Sequence, residues 1–216
     1  MQGIIGCLCL ALIGCREIQP FETISATQGY QIKGKVTNAS GVPLDSVRVR
    51  LYFNLNLVGT TPIDAQAVIV TEPVSIVQIT VYTPDYVFVR QIFSDHLTRG
   101  PVPRARWDGN DQKGAPVASG KYLIRYVIDT TIVKDSPVLV DGHLMGVTDA
   151  LGRFTITPDR LPVAEMFDRY FSDNTYNGTF QVQPTVGLDF RKSFFHQAYS
   201  LELQKDKITS AVFILE

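Results

Sequence analysis

Chemistry in this chain must come from few residues, because 216 positions hold only three cysteines, three histidines and one tryptophan. Cys7 and Cys9 form a Cys-x-Cys pair, but His96, His143 and His196 stand singly and supply no second pair for a zinc set. A nucleophilic serine would need a Gly-x-Ser-x-Gly elbow or a histidine in a recognisable motif, and neither occurs. Neither glycine-rich phosphate loop occurs. Asp108, Asn110 and Asp111 begin like a calcium loop. An EF-hand would then continue with an oxygen ligand, a glycine and a final glutamate where Gln112, Lys113 and Ser119 stand, so turn capping is the reading. Nothing singles out a carboxylate pair among the 21 acids. The expectation is a protein without catalytic residues, cofactor or metal. One polar stretch, Asp168 to Gly178, has the mix of a binding loop, and Asp173, Asn174, Tyr176 and Asn177 are its candidate ligand residues.

The remaining chemistry lies at Cys15. Residues 3 to 14 read GIIGCLCLALIG, an uncharged run too short to span a bilayer but of the length of a signal peptide's apolar region. Leu12-Ile13-Gly14-Cys15 resembles the bacterial lipobox, which implies cleavage before Cys15 and conversion of its thiol to a diacylglyceryl thioether. Residues 1–14 are then a signal peptide and 15–29 a lipidated tether. Cys7 and Cys9 leave with the signal, so no disulfide framework remains. Each buried lipid methylene contributes about 0.8 kcal/mol, so more than one acyl chain gives stable attachment. Arg16 rather than Asp after the cysteine implies the outer membrane more than the inner, as resemblance to such lipoproteins suggests.

The elements that position these residues are strands. Apolar residues make up 45% and charged ones 19%, enough for a packed core. A net charge of -1 lacks the basic footprint of a nucleic-acid binder. Gln31 to Thr37 and Val47 to Phe53 alternate apolar and polar residues, with turn formers Asn38 to Pro43 between them, which predicts a hairpin. Further strands are expected at 68–70, 74–82, 86–93, 121–129, 138–140, 154–156, 199–203 and 208–215. Leu161 to Phe171 is the one candidate helix, with Val163, Met166, Phe167 and Tyr170 along one side. The C-terminal aromatics, Phe167 through Tyr199, read as core. The fold class expected is all-β, built as antiparallel β-sandwich modules.

Two families are suggested by particular residues. Val74 to Tyr82, Val89-Arg90, Gly100, Trp107-Asp108-Gly109, Asp111 to Gly114 and Ser119-Gly120-Lys121-Tyr122 follow in the order of the FlgD-like immunoglobulin domain, which residues 62–130 closely resemble. Independently, Trp107 should end a short strand and fill that module's core. Gly34 to Leu51 resembles the opening of a carboxypeptidase regulatory-like domain, whose fold is a transthyretin-like sandwich. Its usual sequel appears only at Val147 to Ile156, followed by Leu161-Pro162. Either the immunoglobulin-like module is inserted into that sandwich, with halves in 30–61 and 131–216, or sandwiches follow in series. Insertion is preferred because hairpin loops tolerate inserted domains.

These readings imply a non-enzymatic, lipid-anchored protein of the bacterial envelope, presenting β-sandwich modules for protein contacts, scaffolding or adhesion. Its expected partners are the membrane, through the N-terminal lipid, and an envelope protein or glycan. The alternatives are a glycan-binding accessory lipoprotein of a polysaccharide-processing system and a small hydrolase. Exposed coplanar aromatics would favour the first, a pocket of convergent acids or a histidine the second, and free sheet edges a protein partner.

Overall fold

The computed structural model describes residues 28–216, so the expected signal peptide (1–14) and Cys15 lie outside the described residues. The chain is all-β. Its strands are β1 (Tyr30–Thr37), β2 (Arg48–Gly59), β3 (Ile69–Tyr82), β4 (Phe88–Pro101), β5 (Gly120–Ile128), β6 (Thr131–Val140), β7 (Leu144–Val147), β8 (Arg153–Ile156), β9 (Met166–Tyr170), β10 (Tyr176–Lys192), β11 (Phe195–Glu202) and β12 (Lys207–Ile214). They form three sheets, ordered β12-β1-β8, β11-β10-β2-β7 with β9 on β10, and β4-β3-β5-β6. All pairs are antiparallel except β1 with β12, which run parallel from Tyr30↔Lys207 to Thr37↔Ile214.

The first two sheets share one core. Alternation puts Val49, Leu51 and Phe53 of β2 on the same buried side, where they meet Ile32 and Val36 of β1 and Val186, Leu188 and Phe190 of β10. Phe154, Phe190, Tyr199 and Phe213 pack edge-on or tilted, with centroids between 4.7 and 5.9 Å apart. Gly34 makes room for this cluster: a Cβ there would lie 2.1 Å from the Phe154 ring. The third sheet has its own core of Val70, Val77, Ile79, Val81, Tyr122, Ile124 and Tyr126, against which Trp107 packs.

The expected hairpin of β1 and β2 does not form. Asn38 does turn the chain, its side-chain oxygen accepting from the N–H groups of Ser40 and Val42, and Gly41 takes φ +79°. The turn carries the chain from one sheet to the facing one, because each strand can bury its apolar side only against the other. The helix expected over Leu161 to Phe171 is also absent. A 3-10 turn at Pro158–Arg160 precedes the segment. Ala164 then takes φ +69°, which no α-helix accommodates, and its N–H donates to Val182 across the strands. The apolar spacing of Val163, Phe167 and Tyr170 thus belongs to a bend followed by β9.

Trp107 ends no strand. It lies in the extended connector between β4 and β5, half-buried, edge-on to Tyr122 at 4.9 Å, and its indole N–H donates to the Asn110 carbonyl at 2.7 Å. The Asp108 and Asp111 side chains cap the turns as expected. Asp108 accepts from the Asn110 N–H and from Arg90, and Asp111 accepts from the N–H groups of Lys113 and Ala115. Several core aromatics are also misplaced by the sequence reading: Phe171 and Phe195 are exposed and Phe194, at the tip of the β10–β11 hairpin, is fully so.

The two cores are joined along β2. The Leu51 carbonyl accepts from the Gly142 N–H at 2.9 Å and from the buried Ser119 hydroxyl at 2.9 Å. The same hydroxyl accepts from the His143 N–H at 2.8 Å, and Asp141 accepts from the Phe53 N–H. Ser119→Ala should therefore destabilise the protein by about 1–3 kcal/mol, because a buried N–H loses its acceptor. Urea unfolding and faster hydrogen exchange at the His143 amide would register the loss.

Candidate functional site

A cleft of about 350 Å³ opens between the two cores. One wall is the connector Arg104 to Trp107 with Ser136 to Leu139 of β6, and the other is Phe167 to Asn174, comprising β9 and the turn after it. The connector is extended, so residues two apart share a side: Arg104 and Arg106 point one way, while Ala105 and Trp107 pack against the second core.

Arg104 is held in place by three neighbours. Its guanidinium carbon lies 3.7 Å from the Tyr170 ring centroid, one N–H donates to the Asp64 carbonyl at 3.1 Å, and the Ala105 N–H donates to the Tyr126 hydroxyl. Arg106 reaches the Phe171 carbonyl at 3.4 Å. Arg169 on β9 borders the same space. Among the described residues none of these three arginines has a carboxylate within ion-pair distance.

The cleft's two aspartates are already engaged. Asp168 accepts from the Ile63 and Asp64 N–H groups, at 3.1 and 2.9 Å, and from the Thr179 hydroxyl at 2.6 Å. Asp64 pairs with Lys134 at 2.7 Å. Burial pushes the Tyr126 and Tyr170 phenols above their ordinary value. The surplus is thus cationic, beside half-buried aromatic walls, and no histidine lines the space. Such a site can hold an anionic group and shelter an apolar one next to it.

The expected ligand loop is the tip of the β9–β10 hairpin rather than an open connector. The Phe171 and Asn174 N–H groups close the turn on Thr175 and Phe171, and Asn174 takes φ +70°. Asn174 borders the cleft. Asp173 caps the turn through the Thr175 N–H, which foremost holds its carboxyl below the ordinary carboxylate value. Tyr176 and Asn177 belong to β10, and the Tyr176 ring packs edge-on to Tyr170 with its hydroxyl 2.6 Å from that of Thr179. The structure therefore brings one of the four candidates to the cleft edge. Arg104, Arg106, Arg169 and Tyr170, which form its business side, were not singled out from the sequence. The alternation Arg104-Ala105-Arg106-Trp107 was the available signal.

Two outcomes test this geometry. Asp168→Ala should cost about 0.5–1.5 kcal/mol in urea unfolding, since it removes the acceptor of one exposed and one part-buried backbone N–H, and should speed hydrogen exchange at Ile63 and Asp64. Stability should hold through neutral pH and fall as pH rises past about 10, the ordinary phenol value. The sign follows from a folded-state phenol pKa above the unfolded one, so the unfolded chain releases its protons first. Urea midpoints across alkaline pH, with a shallower slope for Tyr126→Phe, would check this. Comparison of the chain with protein-family models, with curated proteins and with solved structures found no match.

Proposed function

We propose that this chain is a non-enzymatic, lipid-anchored binding protein of the bacterial cell envelope, and that its contact surface is the cleft between its two β units. The observation that carries the reading is the state of the cleft's charges. Among the described residues, arginines that stay protonated at all physiological pH values have no carboxylate within ion-pair distance, whereas the two aspartates that could move protons are bound to backbone N–H groups or to Lys134. This favours recognition over acid–base chemistry. Strand edges at β11 and β12, which have no second neighbouring strand among the described residues, favour protein contacts over a glycan platform.

The anchor is part of the same proposal. It rests on Leu12 to Cys15, and among the described residues no helix is long and apolar enough to cross a membrane. The resemblance of residues 62–130 to the FlgD-like immunoglobulin domain, inserted in a transthyretin-like sandwich, belongs to it too. What supports insertion is that one core draws on Ile32 to Phe53 and on Ile156 to Leu215, and the other on Val68 to Val140.

Expression of the full-length chain and its Cys15→Ser form in a Gram-negative host tests the anchor. The native protein should lose the mass of residues 1–14, gain that of a diacylglyceryl group and partition with membranes, and the variant should do none of these. An unlipidated native protein that keeps residues 1–14 would sink the envelope assignment.

A further inference from the structure

The cleft lies between two strand edges. β6 closes one side of its sheet and pairs only with β5, and β9 pairs only with β10. Among the described residues, the outward backbone groups of Met166 to Tyr170 have no backbone partner, whereas Pro137, in the middle of the β6 edge, has no N–H to offer. Unpaired edge groups are a template for an added strand. Charge stands between these edges as well. The guanidinium groups of Arg104, Arg106 and Arg169 offer planar, forked donors matched to carboxylates, and Arg104 is pre-oriented by its stacking on Tyr170. Exposed Phe171 and half-buried Trp107 supply apolar wall beside them.

We infer that the cleft binds an extended, acidic peptide segment of a partner protein, seated as an added strand along β9 with its carboxylates on Arg104, Arg106 and Arg169 and its intervening apolar side chains against Phe171. The inference rests on the binding function assigned above and specifies its ligand. Alternation in such a strand puts acidic residues on one side and apolar ones on the other, the same division that the connector shows between Arg104/Arg106 and Ala105/Trp107. An oligosaccharide has no row of N–H and C=O groups to complete the β9 edge. That is why a peptide fits this cleft better than an acidic glycan.

The test uses the full-length protein and a fluorescein-labelled peptide of alternating Glu and Val, with binding read as fluorescence polarisation. The peptide should bind, and the affinity should fall as salt rises. Arg106→Glu and Arg169→Glu should each weaken it by about tenfold or more, whereas Lys33→Glu on β1, the same charge change on a sheet remote from the cleft, should leave it unchanged. Because a variant can lose its fold, the contact is also probed from the other side: with the native protein, the Gln–Val peptide should bind about tenfold more weakly, and N-methylation of alternate Glu–Val residues should abolish strand addition. Absence of binding, equal binding of a Lys–Val peptide, insensitivity to the cleft variants, or preference for oligogalacturonate would each overturn the inference. Cys15→Ser reads the envelope anchor independently, so failure here with a lipidated native protein would remove the ligand and leave the anchor standing.

Discussion

The backbone of Leu51 ties the molecule together. Its side chain is buried in the first core, while its carbonyl takes the Gly142 N–H and the Ser119 hydroxyl, and its N–H reaches the His143 carbonyl at 3.3 Å. Three segments far apart in sequence thus meet at one residue. Ser119 enters the second unit's strand β5, and residues 141–143 are where the chain returns to the first unit after β6. A buried hydroxyl that both donates and accepts leaves neither N–H nor carbonyl unpaired there, which a hydrophobic contact alone could not achieve. This joint fixes the third sheet against β2.

The cleft follows from that constraint. Joined at Ser119, the two units also meet through Arg160 on the Tyr122 hydroxyl and Lys121 on Glu165, and they diverge toward Arg104 and Tyr170. Asp168 keeps the divergent end in shape. By drawing the Ile63 and Asp64 N–H groups onto β9, it pins the segment leaving β2 beside the hairpin that forms the opposite wall. Lys134 completes the arrangement by neutralising Asp64 and donating to the Gln66 carbonyl. The result is a cavity whose carboxylates serve the scaffold and whose guanidinium groups are left for something else.

What was legible in the sequence was local. Alternation over Gln31 to Thr37 and Val47 to Phe53 marks strands because the half-buried environment has period two. Asp108-Gly109 and Asp111 to Gly114 mark turns because carboxylate caps and left-handed glycine need no distant partner. Pairing was not legible. Nothing in Asn38 to Pro43 says whether the chain returns beside β1 or crosses to the facing sheet, and nothing in β12 announces that it will lie parallel to β1. β10, the longest strand, was missed because Pro184, Gly187 and the irregularity between Val182 and Val186 interrupt its alternation. The cleft was missed for a related reason. Arg104 and Arg106 lie more than sixty residues before Arg169 and Tyr170 in the chain, and the joint at Leu51 with the contacts beside it brings them to one place.

The protonation chemistry of these groups decides what the cleft can do. A general base needs a group that exchanges protons near neutral pH, and guanidinium does not. Asp168 could serve only by giving up the backbone N–H groups of Ile63 and Asp64 and the Thr179 hydroxyl that it now holds. Arginine, by contrast, acts through geometry. Its planar fork fixes the direction of an anion, and stacking on Tyr170 removes rotamer freedom that would otherwise be lost on binding. A site built this way gains affinity from pre-orientation and gains selectivity from charge, and both depend on the rigid separation of two walls rather than on any reacting atom.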